Sequence, residues 1–123
     1  GVSAIAYDNR NDFHQMQRYG PDDGPALYMW MRYAGAHNFA EATWPLPDGF
    51  DQPVLMVSER PREIPLMERD FERFEPAGEI AIALGGGRER RYHLFVGEGY
   101  APLTRDAAYE AQVDIWRAEA GSD

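Results

Sequence analysis

The chain has 123 residues, enough for one domain with a single core, and 44% of them are hydrophobic, more than a disordered chain usually contains. Its net charge of −9 is spread along the sequence and argues against binding to nucleic acid or anionic lipid, which require a basic surface. The absence of cysteine excludes disulfides, thiolate catalysis and cysteine-ligated metal sites. The longest apolar stretch, Ala26 to Met31, has six residues, and because a membrane span needs about 20 we expect none in this chain.

The first third of the chain predicts the beginning of a β-α-β unit. Val2 to Tyr7 is an apolar run rich in β-formers, and Asn9 follows it as a plausible N-cap of a short helix. Gly20-Pro21 ends that helix. Ala26 to Tyr33 is the second predicted strand, and because it is bulky on both faces we expect it at the centre of the sheet.

The middle of the chain predicts an irregular segment, a buried strand and a second helix. Asn38 to Pro47 is predicted to be irregular because its two prolines each lack a backbone donor and disfavour helix in the preceding residue. Val54 to Val57 is a continuous apolar run of the kind found in fully buried strands. Arg60-Pro61 then opens a helical segment in which Leu66, Met67 and Phe71 fit one face.

The last third predicts a hairpin and a final helix. Glu79 to Leu84 and Arg91 to Val96 both alternate in side-chain character around the loop Gly85-Gly86-Gly87. Thr104 can cap a helix that runs to about Ala120. The whole order is β-α-β-β-α-β-β-α, which predicts a single α/β domain with a mixed sheet of about five strands and helices packed on it. Its expected core includes Leu55, Ile82 and Leu94.

No motif in the sequence predicts a catalytic centre, a metal site or a cofactor. The three consecutive glycines lead into a strand, whereas a phosphate loop leads into a helix, so we interpret them as a hairpin loop. No serine lies in the sequence context of a nucleophile, and no two histidines have the spacing of metal ligands. The serines are Ser3, Ser58 and Ser122, and the histidines are His14, His37 and His93.

Two carboxylates are candidates for ligand binding. Asp8 follows the first strand, at the edge where open α/β sheets place ligands, although a turn or capping role at this corner is the alternative. Glu41 lies between two aromatic residues, which suits sugar or amine binding, and its alternative is an exposed position on a loop rim. If the first two strands are parallel neighbours, Asp8, Arg10, Asn38 and Glu41 emerge at one edge, where Arg10 is placed to bridge the two carboxylates. Capping of turns by these four residues is the competing interpretation.

Four segments, in matching order and spacing over about residues 3 to 100, resemble one family of proteins. They are Ala4 to Arg10, similar to a strand followed by D-x-R; Asn38 to Leu46, similar to N-H-Y-E-x-T-R-P-L; Pro53 to Glu59, similar to the next strand; and Arg91 to Phe95, similar to the last strand. These segments are similar to the soluble tail of bacterial dolichyl-phosphate-mannose–protein mannosyltransferase-like enzymes, a group that includes the aminoarabinose transferases acting on lipid A. Asn38, Glu41 and Thr43 keep the polar residues of the second motif, whereas Phe39, Ala40 and Trp44 replace its His, Tyr and Arg.

This resemblance implies an accessory role. Enzymes of this family transfer a sugar from a polyprenyl-phosphate carrier, and their acidic catalytic residues and metal site belong to the membrane part. The tail lies on the periplasmic, or extracytoplasmic, face of the bacterial inner membrane and shapes the acceptor side of the site. The implied partners are the membrane-embedded region of the same polypeptide and, through the parent enzyme, the polyprenyl-phosphate sugar.

Residues 1–123 are therefore expected to form one soluble domain of a larger membrane glycosyltransferase, and the start at Gly1 rather than Met fits a trimmed piece. We expect this domain to be inactive by itself. The alternative is a free-standing small α/β binding or interaction module. The length of the gene separates the two hypotheses, because only the first requires a hydrophobic multi-span region upstream.

Overall fold

Short strands alternate with helices before a long hairpin and a final helix. The computed structural model describes residues 3–20, 23–36 and 38–121. The elements are β1 (Ala4–Tyr7), α1 (Arg10–Tyr19), β2 (Ala26–Met29), α2 (Phe39–Thr43), β3 (Val54–Ser58), a 3-10 turn (Pro61–Glu63), α3 (Ile64–Glu68), β4 (Phe71–Gly85), β5 (Arg88–Tyr100) and α4 (Ala107–Gly121). The strands form one sheet in the order β2-β1-β3-β5-β4. The predicted mixed α/β sheet of five strands is confirmed.

The sheet is parallel on one side and antiparallel on the other. β1 pairs in parallel with both β2 and β3, whereas β5 pairs antiparallel with β3 and with β4. The β-α-β unit predicted from the first third of the chain is therefore present. The carboxyl ends of β1, β2 and β3 meet at one edge of the sheet, as parallel pairing requires.

Alternate side chains of the central strands enter two cores on opposite faces of the sheet. Ala4 and Ala6 of β1 face the larger core, which also contains Leu66 of α3 and Tyr109 and Val113 of α4. The other residues of β1, Ile5 and Tyr7, face a smaller core beneath α1 and α2. This division follows from the two-residue period of a strand. Tyr109, Val113 and Trp116 share one face of α4, and this face packs against the larger core.

The second strand lies at an edge of the sheet, so its predicted central position was wrong. β2 ends at Met29, because there the chain pairs with an irregular segment instead of another strand. The backbone N–H of Met29 donates to the carbonyl of Trp44, and the N–H of Leu46 donates to the carbonyl of Met29. The bulky residues on both faces of β2 contribute to the two cores: Tyr28 packs on the larger and Met29 on the smaller.

Three helix boundaries differ from the predictions. The segment predicted to be irregular contains α2, whose first turn is stabilised because Asn38 Oδ1 accepts the N–H of Glu41 at 2.8 Å. α3 ends at Glu68, so Phe71 lies in β4 and not on a helix face. The cap of α4 is Asp106 rather than Thr104, since Asp106 Oδ1 accepts the N–H of Tyr109 at 2.9 Å. No described helix is long and apolar enough to cross a bilayer.

The β4–β5 hairpin extends beyond the rest of the sheet. Its loop requires glycine, because all three residues of Gly85-Gly86-Gly87 have positive φ, between 62° and 87°. The apolar side chains Ile80, Ile82 and Leu84 of β4 remain 47–48% exposed. The predicted burial of Ile82 was therefore wrong, while Leu55 and Leu94 are half-buried. The helix α1 packs on the same face mainly against β1 and β2 and reaches the hairpin where Tyr92 contacts Asp12, which leaves the outer hairpin uncovered.

Candidate functional site

A polar cavity of about 300 Å³ opens at the carboxyl ends of the parallel strands. The chain leaves β1 towards β2 and leaves β3 towards the opposite side of the sheet, and ligands of open α/β sheets bind where such connections diverge. Asp8, Arg10, Asn38 and Glu41 all line this cavity. The other lining residues are Trp30, Arg32, Tyr33, Arg60, Glu63 and Arg117. The structure thus brings together the four residues that the sequence placed at one edge.

Asp8 joins the ends of the two central strands. Its Oδ2 accepts the hydroxyl of Ser58 at 2.6 Å, and its Oδ1 accepts the backbone N–H of Glu59 at 3.1 Å. The Ser58 oxygen in turn accepts the N–H of Arg60 at 3.0 Å. Burial raises the pKa of Asp8, and the hydrogen bonds from Ser58 and Glu59 oppose that rise. Asp8 therefore has a structural role, but at the end of β3 rather than in a turn or cap at its own corner, and these hydrogen bonds hold its carboxylate at the floor of the cavity.

Asn38 and Glu41 stabilise one another at the cavity rim. Asn38 accepts the backbone N–H of Glu41, and its side-chain amide donates to Glu41 Oε2 at 3.3 Å. These two hydrogen bonds resemble a capping box, in which the cap residue and the third helical residue each fix the other. Both side chains are partly buried, and the Glu41 carboxylate forms part of the cavity wall.

Arg10 does not bridge the two carboxylates, and this part of the prediction was wrong. It is the first residue of α1, and its exposed side chain forms no ion pair with Asp8 or Glu41, both of which are described. The Asp8 oxygens instead accept hydrogen bonds from the end of β3. Arg60, the second residue after β3, is the other exposed arginine of the cavity.

The far wall of the cavity is an ion-pair network that sequence reasoning missed. Arg32 donates to both carboxylate oxygens of Glu110 at 2.9 and 3.1 Å. Arg117 donates from Nε to Glu63 Oε1 at 2.9 Å, and Arg32 Nε lies 3.8 Å from Glu63 Oε2. These contacts join the loop after β2 and the 3-10 turn to α4. No local sequence pattern predicts these ion pairs. The place of Arg60 in the cavity was predictable, because Arg60 follows a strand just as Asp8 does.

Asp12 and Glu59 form a second pair of carboxyl groups near Asp8. Asp12 of α1 is 7% exposed, and its Oδ1 accepts the hydroxyl of Tyr92 at 3.0 Å. Its Oδ2 is buried and has no donor among the described residues unless Glu59 carries a proton. Burial raises the pKa of Glu59 to about 7, and the hydrogen bond and negative charge of Asp12 add to the rise. The ion pair of Glu59 with Arg90, at 3.1 Å, opposes it.

The described residues contain no nucleophile paired with a base. Ser58 is fully buried and donates to a carboxylate, so it is not accessible to a substrate. His14 contacts Gln17, and His93 lies on the hairpin beside Glu79. His37 and Ser122 lie outside the described residues. Within residues 3–20, 23–36 and 38–121, no group of three or more His, Asp or Glu is placed to hold a metal ion.

The charge of the cavity differs in sign from that of the whole chain. Four arginines and three carboxylates line it, so its wall carries one net positive charge, while the chain has a net charge of −9. Such a site suits a polar ligand that presents both hydroxyls and a negative group. Comparisons with protein-family models, curated protein sequences and solved structures find no match to this chain.

Proposed function

We propose that this chain is an extracytoplasmic accessory domain of a polyprenyl-phosphate-dependent membrane glycosyltransferase. In this function the domain shapes the acceptor side of the active site and is not catalytic by itself. The observation that carries the proposal is the polar cavity, to which the segment after β1 contributes Asp8 and Arg10 and the α2 segment contributes Asn38 and Glu41. Two of the motifs that resemble the glycosyltransferase tail therefore meet at one site.

The chemistry of the cavity supports acceptor binding rather than transfer. Carboxylate, amide and guanidinium groups are the usual partners of saccharide hydroxyls, and the aromatic residues Trp30 and Tyr33 add an apolar surface beside them. No described serine or histidine is arranged as an accessible nucleophile with a base. The sugar-transfer chemistry is accordingly assigned to the membrane-embedded region of the same polypeptide, on the periplasmic side of the membrane.

Activity of the full-length enzyme tests this proposal. Glu41→Gln keeps the size of the side chain but removes its charge, and we expect it to lower the sugar-transfer rate by about tenfold, the effect of about 1.4 kcal/mol. Glu68→Gln changes an exposed residue outside the cavity and serves as the matched control. Thermal unfolding of both variants separates a binding defect from a folding defect.

Two results contradict the proposal. One is sugar transfer above background by the isolated 123-residue chain, incubated with polyprenyl-phosphate sugars and candidate acceptors. The other is a native gene that encodes no membrane-spanning region, which favours the free-standing binding module.

A further inference from the structure

The arginines of the cavity fall into two classes. The chain has twelve arginines and no lysine, and four of the arginines line this one cavity. Arg32 and Arg117 are held by the carboxylates of Glu110 and Glu63. Their charges are therefore compensated inside the protein, and their role is to build the wall.

Arg10 and Arg60 are not compensated in this way. Neither forms an ion pair or a side-chain hydrogen bond with any other residue that the structure describes, and both are exposed at the cavity. Their backbones are nevertheless fixed, since Arg10 opens α1 and the N–H of Arg60 donates to the Ser58 oxygen at 3.0 Å. The two guanidinium groups thus extend from rigid positions at the ends of the neighbouring strands β1 and β3.

Asp8 attracts Arg60 at longer range, since Arg60 lowers the pKa of Asp8, but among the described residues no carboxylate of the cavity forms an ion pair with Arg10 or Arg60. Both oxygens of Asp8 accept hydrogen bonds from the end of β3, and Glu41 Oε2 accepts from Asn38. A guanidinium group presents a planar fork of donors that matches the oxygens of a phosphoryl or carboxyl group. Two such forks at one polar cavity are a recognition element for an oxyanion.

We infer that Arg10 and Arg60 bind an oxyanion, a phosphoryl or a carboxyl group, carried by a saccharide whose hydroxyls contact Asn38 and Glu41. The inference rests on the proposed function only in taking a saccharide as the ligand. It defines the acceptor class of the site as an anionic sugar rather than a neutral one.

Calorimetric titration of the 123-residue chain at low ionic strength tests the inference. The three probes are glucose 1-phosphate, glucuronate and glucose, which share a ring and differ in the anionic group. We expect an anionic probe to bind at least ten times more tightly than glucose, because charge-assisted hydrogen bonds are absent from the neutral sugar. Binding should weaken as salt is added, since exposed guanidinium groups are screened.

Variants assign the binding to the two arginines. Arg10→Gln and Arg60→Gln should each weaken binding of the anionic probe at least tenfold. Arg62→Gln is the matched control, because Arg62 is also exposed and is two residues from Arg60, but it does not line the cavity. Its affinity should stay within twofold of the wild type. Thermal unfolding establishes that each variant is folded.

Each outcome decides for or against the inference. Preference for glucose 1-phosphate identifies a phosphoryl ligand, and preference for glucuronate identifies a carboxyl ligand, provided that the arginine variants lose it. Equal binding of glucose, no binding of either anion, or binding that survives both arginine substitutions overturns the inference. None of these results changes the sugar-transfer test of the full-length enzyme, so the two proposals fail separately.

Discussion

The carboxylate of Asp70 and the guanidinium of Arg105 form a two-point ion pair in the protein interior. Arg105 Nη2 lies 2.7 Å from Oδ2 and Nη1 lies 2.9 Å from Oδ1, with side-chain exposures of 7% and 0%. Trp30 Nε1 and the N–H of Leu103 also donate to the carboxylate, at 2.8 and 3.1 Å. Arg105 further donates to the carbonyl of Met31. This network ties the segment before α4 to the loop after β2, which forms part of the cavity wall.

Arg105→Met should destabilise the fold by about 3–5 kcal/mol, because it leaves the fully buried Asp70 without its counter-charge. The free energy of unfolding in urea measures the effect. Arg73→Met is the control, since Arg73 is 67% exposed and lies 3.9 Å from the carboxylates of Glu75 and Glu98. An exposed pair of this kind contributes at most about 1 kcal/mol. Equal losses in the two variants would contradict the structural role of Arg105.

The strands β3 and β4 should respond differently when an apolar side chain is truncated to alanine. Met56 of β3 is 0% exposed, so Met56→Ala should cost about 2–5 kcal/mol through lost burial and a new cavity. Ile82 of β4 is 47% exposed, and Ile82→Ala should change the free energy of unfolding by no more than about 0.5 kcal/mol. Denaturant titrations compare them directly. A large loss for Ile82 would mean that another surface covers the outer hairpin in solution.

The edge of the sheet that holds the site was predictable because two simple rules act together. Residues that follow parallel strands meet at one edge, and this placed Asp8 and Asn38 at the same cavity although they are 30 positions apart. The strand and helix order followed from hydrophobic periodicity. The structural alternative for Asp8 was a turn or cap at its own corner, whereas its hydrogen bonds to Ser58 and Glu59 join it to the end of β3.

The remaining features depend on tertiary contacts that leave no local pattern. Alternation in β4 looks the same whether its apolar face is covered or exposed, so the exposure of Ile82 was not visible. The edge position of β2 depends on the segment around Trp44, which pairs with Met29. Arg117 reaches the cavity only because α4 packs against the 3-10 turn that carries Glu63. Such long-range contacts explain why six of the ten lining residues were not predicted.

The carboxyl pair of Glu59 and Asp12 should make stability depend on pH. In the folded protein the pKa of Glu59 is raised to about 7 by burial, by the hydrogen bond with Asp12 and by nearby negative charge, whereas the ordinary value is 4.5. Between these two values the folded state binds more protons than the unfolded state. Through this group the free energy of unfolding therefore decreases as the pH rises from about 4.5 to about 7, and it levels off above.

Glu59→Gln should reduce this dependence, because glutamine does not titrate. Urea titrations at several pH values between 4.5 and 8 give the slope for the wild type and the variant. Glu68→Gln, at an exposed position on α3, should keep the wild-type slope. A wild-type slope that persists in Glu59→Gln would assign the proton uptake to a different group. The buried Asp8, whose pKa is also raised, is the first alternative to examine.

Ser58→Ala tests how Asp8 is held at the floor of the cavity. The substitution removes the 2.6 Å hydrogen bond to Asp8 Oδ2 and leaves that buried oxygen without the hydroxyl donor. A buried acceptor that loses its partner costs about 1–3 kcal/mol, so the folded state should be destabilised by this amount at neutral pH. The hydroxyl of Ser58 also accepts the N–H of Arg60, so the loop after β3 should loosen as well.

Ser58→Ala should also change the pKa of Asp8 in a defined direction. The hydrogen bond from Ser58 lowers the pKa of Asp8 against the larger effect of burial, and its removal should therefore raise that pKa further. Carbon-detected NMR of the Asp8 carboxyl group measures the shift, and Ser3→Ala, at an exposed position, is the control. Because the hydrogen bond from Ser58 stabilises the ionised form of Asp8, the stability deficit of Ser58→Ala should shrink as the pH falls through the raised pKa and Asp8 becomes protonated. A deficit that is independent of pH would mean that the hydroxyl stabilises the fold through Arg60 rather than through Asp8.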